Sequence, residues 1–476
     1  MPNEYPHREF ATSLPASRAL ADDLASHGVP ADVETRQRAE HARDWWPRSI
    51  PIVARGEVEN WPSVVARPRT TAQVSAVLRV ATEHRVPVTA QGGRSSVVGG
   101  AVPVSGAIAL DLTGLDHIID LDRDSHTVRV EAGVVGPTLE TYVGHHGFTV
   151  GHFPQSFELA TVGGWIACRG AGQYSNYYGP VASMVRALTV VLANGSVVHL
   201  GGRGPHEAVG PDLLQLFVGS EGTLGIITEA TLVVHPRAPH EQYGAFLFSR
   251  FDEGMDACQR TVQRGARPAV LRLYDEVESR RHFDVDGCAL LVLVEGDPNI
   301  VSATFSILDD ECAVAQRLAP TFVDRWLATR NDVTALAPMW ERGFVVDTIE
   351  VAGPWATLRN LRLRVTEALS KIDDMLSVSV HQSHAYRDGA CLYFTFVARP
   401  ARDADDLYRR AWDDAMSVVT SLGAAISHHH GVGRARARFV ARTLGSAFTV
   451  LETVKRELDP LDILNPGVLG LGGDPW

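Results

Sequence analysis

The sequence predicts an α+β fold with two lobes, and three features of the chain support this prediction. Residues 46–235 alternate short apolar strands with helices, and glycines stand at many strand ends. After Pro236 the alternation starts again. The C-terminal residues form a Pro- and Gly-rich turn, which is not typical of a disordered tail. We therefore expect an N-terminal helical segment (1–45), a first domain (46–235), a second domain that caps the first (236–430) and a segment that returns to the first domain (431–476).

The first domain opens with a strand–helix–strand unit. Residues 63–66 form an apolar strand, Thr71 to His84 carry apolar residues at helical spacing, and residues 86–90 lead into a glycine loop. Further strands are predicted at 107–112, 118–121, 127–132 and 224–234, with a helix at 136–146 and a hairpin at 185–199. In the second domain we predict strands at 244–248, 270–275, 289–295, 376–384 and 390–397, and helices at 252–264 and 300–318.

Composition excludes several classes of protein. The formal net charge of −12 argues against nucleic acid as a partner, because a phosphate-binding face needs a surplus of cations. Five cysteines without CxxC spacing argue against a disulfide framework or a zinc site and fit a reducing cytoplasm. Residues 1–40 lack the apolar core of a secretion signal, and no apolar run is long enough to span a membrane. We expect a cytoplasmic protein.

Four glycine-bearing segments of the first domain suggest a large anionic cofactor. They are residues 91–100, 151–172, 201–202 and 219–225. A glycine at a strand end lets backbone N–H groups approach a phosphate without a Cβ in the way. Neither a GxGxxG fingerprint after a strand nor a P-loop is present, so the cofactor is not held by either of those motifs.

These segments resemble the vanillyl-alcohol-oxidase/PCMH-type family of flavoproteins from about Trp61 to the C-terminus. The resemblance is carried by Ala90 to Ser96, Gly163-Gly164-Trp165, Gly219 to Ile226 and Asn465-Pro466-Gly467. It implies that FAD lies between two α+β lobes, with its pyrophosphate on the first glycine loop. The residues implied to bind FAD are Thr89, Ala90, Gln91, Gly92, Gly93, Arg94, Ser95, Gln155, Ser156, Thr161, Gly163, Gly164, Cys168, Arg169, Ala171, Glu221, Gly222, Thr223, Gly225 and Ile227.

The first glycine loop indicates how FAD is held. Some members of the family attach FAD covalently to a histidine in this loop, but here the stretch contains Arg94, Ser95 and Ser96 and no histidine. We therefore expect non-covalent binding. Gln91 replaces a glycine of the family pattern, and Arg94 adds a positive charge near the expected pyrophosphate.

Within this family the chain looks most like the alkylglycerone-phosphate synthases. The matching stretches include Gly151 to Ser156, Leu271 to Asp275, Gly389 to Phe394 and Ser427-His428-His429-His430-Gly431-Val432-Gly433. The resemblance implies a redox-neutral exchange of an acyl group for an alkyl ether through an adduct at flavin N5. It also implies that Tyr393 is an acid/base, that His428, His429 and His430 handle protons, and that Arg272 and His152 contact the substrate.

The residues themselves support these roles in part. Imidazoles titrate near neutral pH and can pass protons in both directions. Three adjacent histidines cannot all face one point, so we expect one or two to reach the flavin. A metal site is disfavoured because no carboxylate or cysteine stands at ligand spacing near them. Two alternatives stay open: Tyr393 as a core aromatic, and Arg272 as the ion-pair partner of Asp275 or Glu276.

One position departs from the synthase pattern. The synthases carry a second substrate-binding arginine where this chain has Leu336, which weakens the case for a phosphorylated substrate. Arg330 or Arg342 could take its place if the loop is rebuilt.

Three functional hypotheses follow. The first is a synthase-like transferase. The second is an FAD-dependent oxidase or dehydrogenase of an alcohol or 2-hydroxy acid, in which the histidines take the hydroxyl proton. The third is a flavin-free binding module. The substrate is expected to be a small or lipid-like molecule and the protein a homodimer, while a peripheral contact with a membrane stays open.

Overall fold

The computed structural model describes residues 14–332 and 337–473. The first lobe carries the strands β1 (Ala31–Asp32), β2 (Val64–Ala66), β3 (Val88–Gln91), β4 (Ile108–Asp111), β5 (Ile118–Asp122), β6 (Thr127–Glu131), β7 (Phe148–Thr149), β8 (Val185–Val191), β9 (Val197–Gly201), β10 (Ile226–Val233) and β11 (His235–Pro236). Its helices are α1 (Arg18–Ser26), α2 (Thr35–Glu40), α3 (Ser49–Ala54), α4 (Thr71–His84), α5 (Gly136–His145), α6 (Val162–Ala167), α7 (Ser175–Tyr178) and α8 (Val181–Met184).

Two main sheets form this lobe. In the first, with the order β1-β2-β4-β3, strands β2, β4 and β3 run parallel and β1 pairs antiparallel with β2. The second is antiparallel, with the order β5-β6-β10-β8-β9. Helix α4 begins as predicted, because the side chain of Thr70 accepts a hydrogen bond from the backbone N–H of Gln73. It buries Val74, Val77 and Leu78. The chain then continues into β3 and the glycine loop that follows.

The second lobe carries the strands β12 (His240–Phe248), β13 (Val270–Tyr274), β14 (Cys288–Gly296), β15 (Gln316–Leu318), β16 (Val345–Pro354), β17 (Met375–Ala385) and β18 (Gly389–Ala398). Its helices are α9 (Phe251–Gln263), α10 (Glu276–Phe283), α11 (Pro298–Glu311), α12 (Thr321–Thr329), α13 (Ala337–Glu341), α14 (Trp355–Ser370) and α15 (Ala404–Ser421), and the C-terminal segment adds α16 (Ala437–Leu444) and α17 (Ala447–Leu458).

One antiparallel sheet, ordered β15-β12-β14-β13-β17-β18-β16, organises this lobe. Strand β14 is buried along its whole length, which means that both of its faces are covered. Leu290 and Val292 pack in the core that includes α9, α14 and α15, whereas Leu291 and Leu293 pack in the core shared with the first lobe. This alternation places one face of the sheet against the first lobe.

Two expectations about local structure were wrong. The predicted helix 300–318 ends at Glu311, and Gln316 to Leu318 instead pair with β12 at the sheet edge. The N-terminal segment is not helical throughout, because β1 lies between α1 and α2 and extends the first sheet. Arg38 of this segment is buried and donates to the carbonyl oxygen of Pro62 at 2.7 Å. In both cases tertiary pairing overrides the local pattern.

The C-terminal segment contacts the first lobe. The backbone N–H of Val88 donates to the carbonyl oxygen of Ile463 at 2.6 Å, and the N–H of Asn465 donates to that of Val88 at 2.8 Å. Buried Lys455 donates to the carbonyl oxygens of Thr223 and Leu464 and pairs with Asp459. Within the described residues, no helix is long and apolar enough to cross a bilayer.

The two lysines of the chain offer a matched test of this attachment. Lys455→Met leaves Asp459 buried without its cation and should lower the free energy of unfolding by about 3–5 kcal/mol. Lys371 forms an exposed pair with Glu367, so Lys371→Met should cost about 0–1 kcal/mol. Urea unfolding followed by tryptophan fluorescence measures both. Equal effects of the two variants would contradict a structural role for Lys455.

Candidate active site between the two lobes

A cavity of about 1220 Å³ lies between the lobes. It is larger than the roughly 300–1,000 Å³ typical of small-molecule sites, so it can hold a large cofactor together with a substrate. Most of the predicted site residues line it: Ala90, Gln91, Gly92, Gly93, Arg94, Ser95, His152, Gln155, Ser156, Thr161, Gly163, Gly164, Cys168, Ala171, Glu221, Gly222, Gly225, Ile227, Arg272, Tyr393, His429 and His430.

The structure does not bring four predicted residues to the cavity wall. Thr89 is fully buried in β3, and the Thr223 hydroxyl closes a turn by donating to the carbonyl oxygen of Ser220. Arg169 donates to the carbonyl oxygen of Val218. His428 lies behind its neighbours, and its Nε2 is 3.0 Å from the hydroxyl of Tyr386. Each is held by contacts behind the wall.

Several cavity residues were missed by the sequence analysis. Asp44 and Trp45 come from the N-terminal segment, and Glu278, His381 and His384 come from α10 and β17. They share no motif with the glycine loops, and only the folded chain brings them to the same cavity. The alternation of side chains along β17 was the one local signal that could have pointed to His381.

The glycine loop after β3 is packed too tightly for side chains at two positions. A Cβ at Gly92 would overlap Thr161 Oγ1, and a Cβ at Gly93 would overlap the carbonyl oxygen of Leu159. The next residue, Arg94, adopts φ 50° and has no hydrogen-bond or ion-pair partner in the described part of the chain. Its burial lowers the pKa of Arg94. The loop therefore presents backbone and an unpaired cation to the cavity.

Glu221 joins the first lobe to the histidine-bearing loop of residues 427–433, which we call the histidine loop. Its carboxylate accepts hydrogen bonds from the backbone N–H groups of Val432 at 2.6 Å and Gly433 at 2.7 Å. Its backbone carbonyl accepts from Asn465 at 2.7 Å. Burial raises the pKa of Glu221 to about 7, against the effect of the two N–H donors. The conspicuous glutamate of the sequence motif is thus a tether between loops.

Glu350 of β16 fixes the backbone of the histidine loop through hydrogen bonds. Its carboxylate accepts from the hydroxyl of Ser427 at 2.8 Å, from the backbone N–H groups of His428 and His430, and from Arg436 at 2.9 Å. Burial alone would raise the pKa of Glu350, but Arg436 and the nearby imidazoles hold it well below its usual range. One ionised carboxylate therefore fixes the backbone on both sides of His429.

His430 and Tyr393 face each other in the cavity, with 2.6 Å between His430 Nε2 and the Tyr393 hydroxyl. Burial lowers the pKa of His430 to about 4, and it also raises the pKa of Tyr393. Both groups are therefore neutral near pH 7 and share one proton. Tyr393 is not a plain core aromatic, since it lines the cavity while Phe394 packs under the helices.

His428 and His429 belong to a second hydrogen-bonded chain. Their Nδ1 atoms are 3.0 Å apart, and His428 Nε2 reaches the hydroxyl of Tyr386, which in turn contacts Ser175 at 3.2 Å. Ser175 also contacts His384 Nδ1 at 2.7 Å. Burial lowers the pKa values of His428, His429 and His384. His429 and His430 line the cavity and His428 does not, while the contact of one or two histidines with the flavin stays a prediction.

The histidine loop has no metal ligands beside it in sequence, but residues distant in the chain come close to it in the fold. The fold brings ligand atoms of His384, His428 and His429 within 4.8 Å of one another, and likewise those of Glu350, Cys391 and His429. The absence of a metal thus stays a prediction.

Arg272 does not pair with either carboxylate considered for it. Asp275 accepts from the backbone N–H groups of Glu278 and Val380. Arg272 instead donates from Nε to the hydroxyl of Tyr274 at 2.7 Å and from Nη2 to His381 Nε2 at 2.6 Å. It lines the cavity from the second lobe.

Of the two candidate replacements for the arginine missing at Leu336, the structure brings Arg330 to the cavity and leaves Arg342 exposed. Arg330 lies against the rings of Phe153, Tyr174 and Trp326, and its Nη1 atom is buried without a hydrogen-bond partner. Leu336 itself lies outside the described residues.

Two family models and several known proteins match this chain. A family model of the FAD binding domain matches residues 62–201, and a model of the C-terminal domain of FAD-linked oxidases matches residues 237–469. The FAD-linked oxidoreductase YgcU of Escherichia coli K12, described as uncharacterized, is 30% identical over 431 residues, covering 86% of this chain and 89% of that protein. The chain belongs to the vanillyl-alcohol-oxidase/PCMH-type family of FAD-dependent enzymes.

Two further comparisons concern synthases, and a third concerns the fold. The alkyldihydroxyacetonephosphate synthase of Dictyostelium discoideum is 28% identical over 507 residues, covering 98% of this chain and 81% of that protein. A solved alkyldihydroxyacetonephosphate synthase superposes with a TM-score of 0.80 at 25% identity, covering 96% of this chain and 87% of that one. A p-cresol methylhydroxylase shares the fold, with a TM-score of 0.75 at 17% identity and coverage of 96% and 99%.

The residues of the first lobe fit the FAD that enzymes of this family bind. The glycine loop leaves no room for side chains at Gly92 and Gly93, and Arg94 offers a cation to an anionic group. His152 is buried in the cavity wall, and both of its ring nitrogens lack a protein partner. A cofactor with polar and anionic groups would satisfy these atoms.

The tight packing of the glycine loop predicts a selective loss of flavin. Gly93→Ala should weaken FAD binding about tenfold or more, because overpacking costs about 1–3 kcal/mol and 1.4 kcal/mol is a factor of ten. Gly144→Ala is the control, since a Cβ there meets no atom within 4 Å. The absorbance ratio of bound flavin to protein measures both. Wild-type flavin content in Gly93→Ala would contradict the proposed role of the loop.

The absence of a histidine from the first glycine loop predicts how the flavin is attached. Acid precipitation of the purified holoenzyme should release all of the flavin into the supernatant, because a non-covalent cofactor leaves when the fold is lost. Flavin that remains in the washed pellet would reveal a covalent link and would overturn this prediction.

Proposed function

We propose that this enzyme resembles alkylglycerone-phosphate synthase in function and exchanges an acyl group for an alkyl ether on an anionic substrate. The observation that carries the proposal is the placement of Arg272 beside the Tyr393–His430 pair in one cavity. A cation for an anionic group and a proton-holding pair for a reacting oxygen are both needed in such an exchange. The similarity to two alkyldihydroxyacetonephosphate synthases supports the same choice.

The charge balance at the second-lobe end of the cavity favours an anionic substrate. Arg272, Arg281, Arg325 and Arg330 line this end, and the acidic residues from the second lobe are Glu278, Asp332 and Asp347. Arginine binds carboxylate or phosphate through several N–H groups at once. These cations compensate for the loss of the arginine that the synthase pattern places at Leu336.

The residues of the chain divide the proposed work. Bound FAD would supply the reactive ring system between the lobes. Arg272 would hold the anionic group, and the Tyr393 hydroxyl would donate or accept a proton at the reacting oxygen while His430 Nε2 shares it. His429 lines the same wall and is neutral at pH 7 because burial lowers its pKa.

A second candidate is the oxidation of an alcohol or 2-hydroxy acid. The description of YgcU as an FAD-linked oxidoreductase favours it. In that reaction the neutral imidazoles of His429 and His430 would take the hydroxyl proton, and Arg272 would bind the carboxylate of a hydroxy acid.

Two assays on the holoenzyme separate the candidates. Formation of an alkyl ether from acyl-dihydroxyacetone phosphate and a fatty alcohol, without net oxidation, would support the first. Rapid bleaching of the flavin absorbance by alcohols or 2-hydroxy acids, measured by stopped flow, would support the second. A colourless protein that takes up no FAD would instead favour a binding module and remove both.

The Tyr393–His430 pair and the neighbouring His429 give a prediction for catalysis. Tyr393→Phe or His429→Ala should leave FAD bound but lower turnover by about a hundredfold or more, as the loss of a general acid/base does. Because the pKa of His430 is lowered to about 4, a requirement for its neutral form is met above pH 4 and lost as the pH falls through that value. The pH profile of kcat/KM should show this acid limb. Near wild-type turnover would exclude these residues from the reaction.

A further inference from the structure

We propose that Glu278 and His381 are positioning residues, which hold Arg272 and Tyr393 in their working orientations. This inference rests on the proposed roles of Arg272 and Tyr393. It extends the site to a buried carboxylate–imidazole pair that was not recognised in the sequence.

Glu278 is a carboxylate on α10 that is only 1% exposed. Its Oε2 accepts from His381 Nδ1 at 2.8 Å, and its Oε1 accepts from the hydroxyls of Ser379 at 3.1 Å and Thr395 at 3.2 Å. Arg281 adds a cation at 3.4 Å. A buried carboxylate is stable only with partners of this kind, and here the imidazole is the partner that continues toward the cavity.

The hydrogen bonds of His381 determine which of its nitrogens carries the proton. A guanidinium can only donate, so His381 Nε2 must accept from Arg272 Nη2 at 2.6 Å. The proton is then on Nδ1, which donates to Glu278. The carboxylate thereby selects the tautomer that Arg272 needs, as the aspartate of a Ser-His-Asp triad does for its histidine.

The titration behaviour of the pair agrees with this assignment. Burial, followed by the charge of Arg272, lowers the pKa of His381 to about 4. Burial alone would raise the pKa of Glu278, but His381, Arg281 and Arg272 lower it to about 2. The directions of the two shifts favour an ionised carboxylate beside a neutral imidazole.

Two of the three guanidinium nitrogens of Arg272 are hydrogen-bonded in the described structure, and the third is available to a ligand. Its Nε donates to the hydroxyl of Tyr274 at 2.7 Å, and its Nη2 donates to His381. Nη1 has no hydrogen-bond acceptor within the part of the chain that the structure describes, and the side chain lines the cavity. Two fixed hydrogen bonds orient the remaining N–H groups before a ligand arrives, which reduces the entropy lost on binding.

His381 also supports Tyr393 through its ring face. The two rings stack with centroids 4.8 Å apart and planes inclined by 12°. The hydroxyl of Tyr393 meets His430 Nε2 on the side of the histidine loop. The edge of one imidazole thus holds the anion-binding arginine, and its face supports the proposed acid/base.

Glu278→Gln tests the proposal, because glutamine keeps the size of the side chain and removes its charge. Glu276→Gln is the matched control, since Glu276 is exposed and lies two residues earlier on the same helix. We expect kcat/KM of Glu278→Gln to fall about a hundredfold, the cost that a misplacement of about 1 Å can have. The control should match the wild type, and both variants should keep full FAD content.

A second pair of variants separates positioning from simple packing. His381→Gln keeps an amide oxygen that can accept from Arg272, whereas His381→Ala keeps none, so the glutamine variant should retain clearly more kcat/KM. Equal losses in the two variants, or a wild-type kcat/KM in Glu278→Gln, would overturn the proposal.

Crystal structures of the wild-type and Glu278→Gln holoenzymes give an answer that does not depend on turnover. The proposal requires the Arg272 guanidinium to leave His381 in the variant, and an unchanged Arg272 would refute it. If neither assay of the proposed function yields product or bleaching, that function fails, while these structures still decide whether Glu278 positions Arg272.

Discussion

The ion pair between Glu350 and Arg436 fixes the loop on which the candidate site depends. Both side chains are fully buried, and their charged atoms are 2.9 Å apart. A buried ion pair seldom adds stability over apolar residues, because both charges lose their hydration. Its value here is positional, since Glu350 also accepts from Ser427 and from the backbone on both sides of His429. A loop without regular secondary structure thereby acquires a defined backbone.

A buried glutamate that accepts hydrogen bonds from a distant segment is found at two other points of the cavity wall. Glu221 binds the backbone of Val432 and Gly433, and Glu278 binds His381. Each carboxylate reaches from one structural element to another that is distant in sequence. At Glu350 and Glu221 the carboxylates supply acceptors that irregular backbone lacks, whereas Glu278 accepts from side chains on β17 and β18. Three acidic side chains thus hydrogen-bond to the loop and to the histidine that line the candidate site.

Sequence patterns were sufficient where a residue's role depends on its neighbours in the chain. The glycine loop after β3 could be predicted because a strand followed by small residues restricts the local backbone. The sequence allowed Tyr393 to be a core aromatic, and only the fold places it in the cavity. The roles of Glu350, Glu278 and His381 could not, because each acts through a contact across the fold. Glu221 illustrates the difference: its motif was recognised, but its use as a tether follows only from the position of Val432.

The attachment of the C-terminal segment has a consequence for how the protein folds during its synthesis on the ribosome. Strand β3, which leads into the glycine loop, pairs with β4 on one edge, and on its other edge Val88 bonds to Ile463 and Asn465. The first lobe is therefore synthesised with this strand edge unpaired. The edge gains its partners only after the entire second lobe has been translated. Such late closure exposes an unpaired strand edge, which is a site of misassembly and chaperone binding. Val88 can therefore gain these partners only after nearly the whole chain has been synthesised.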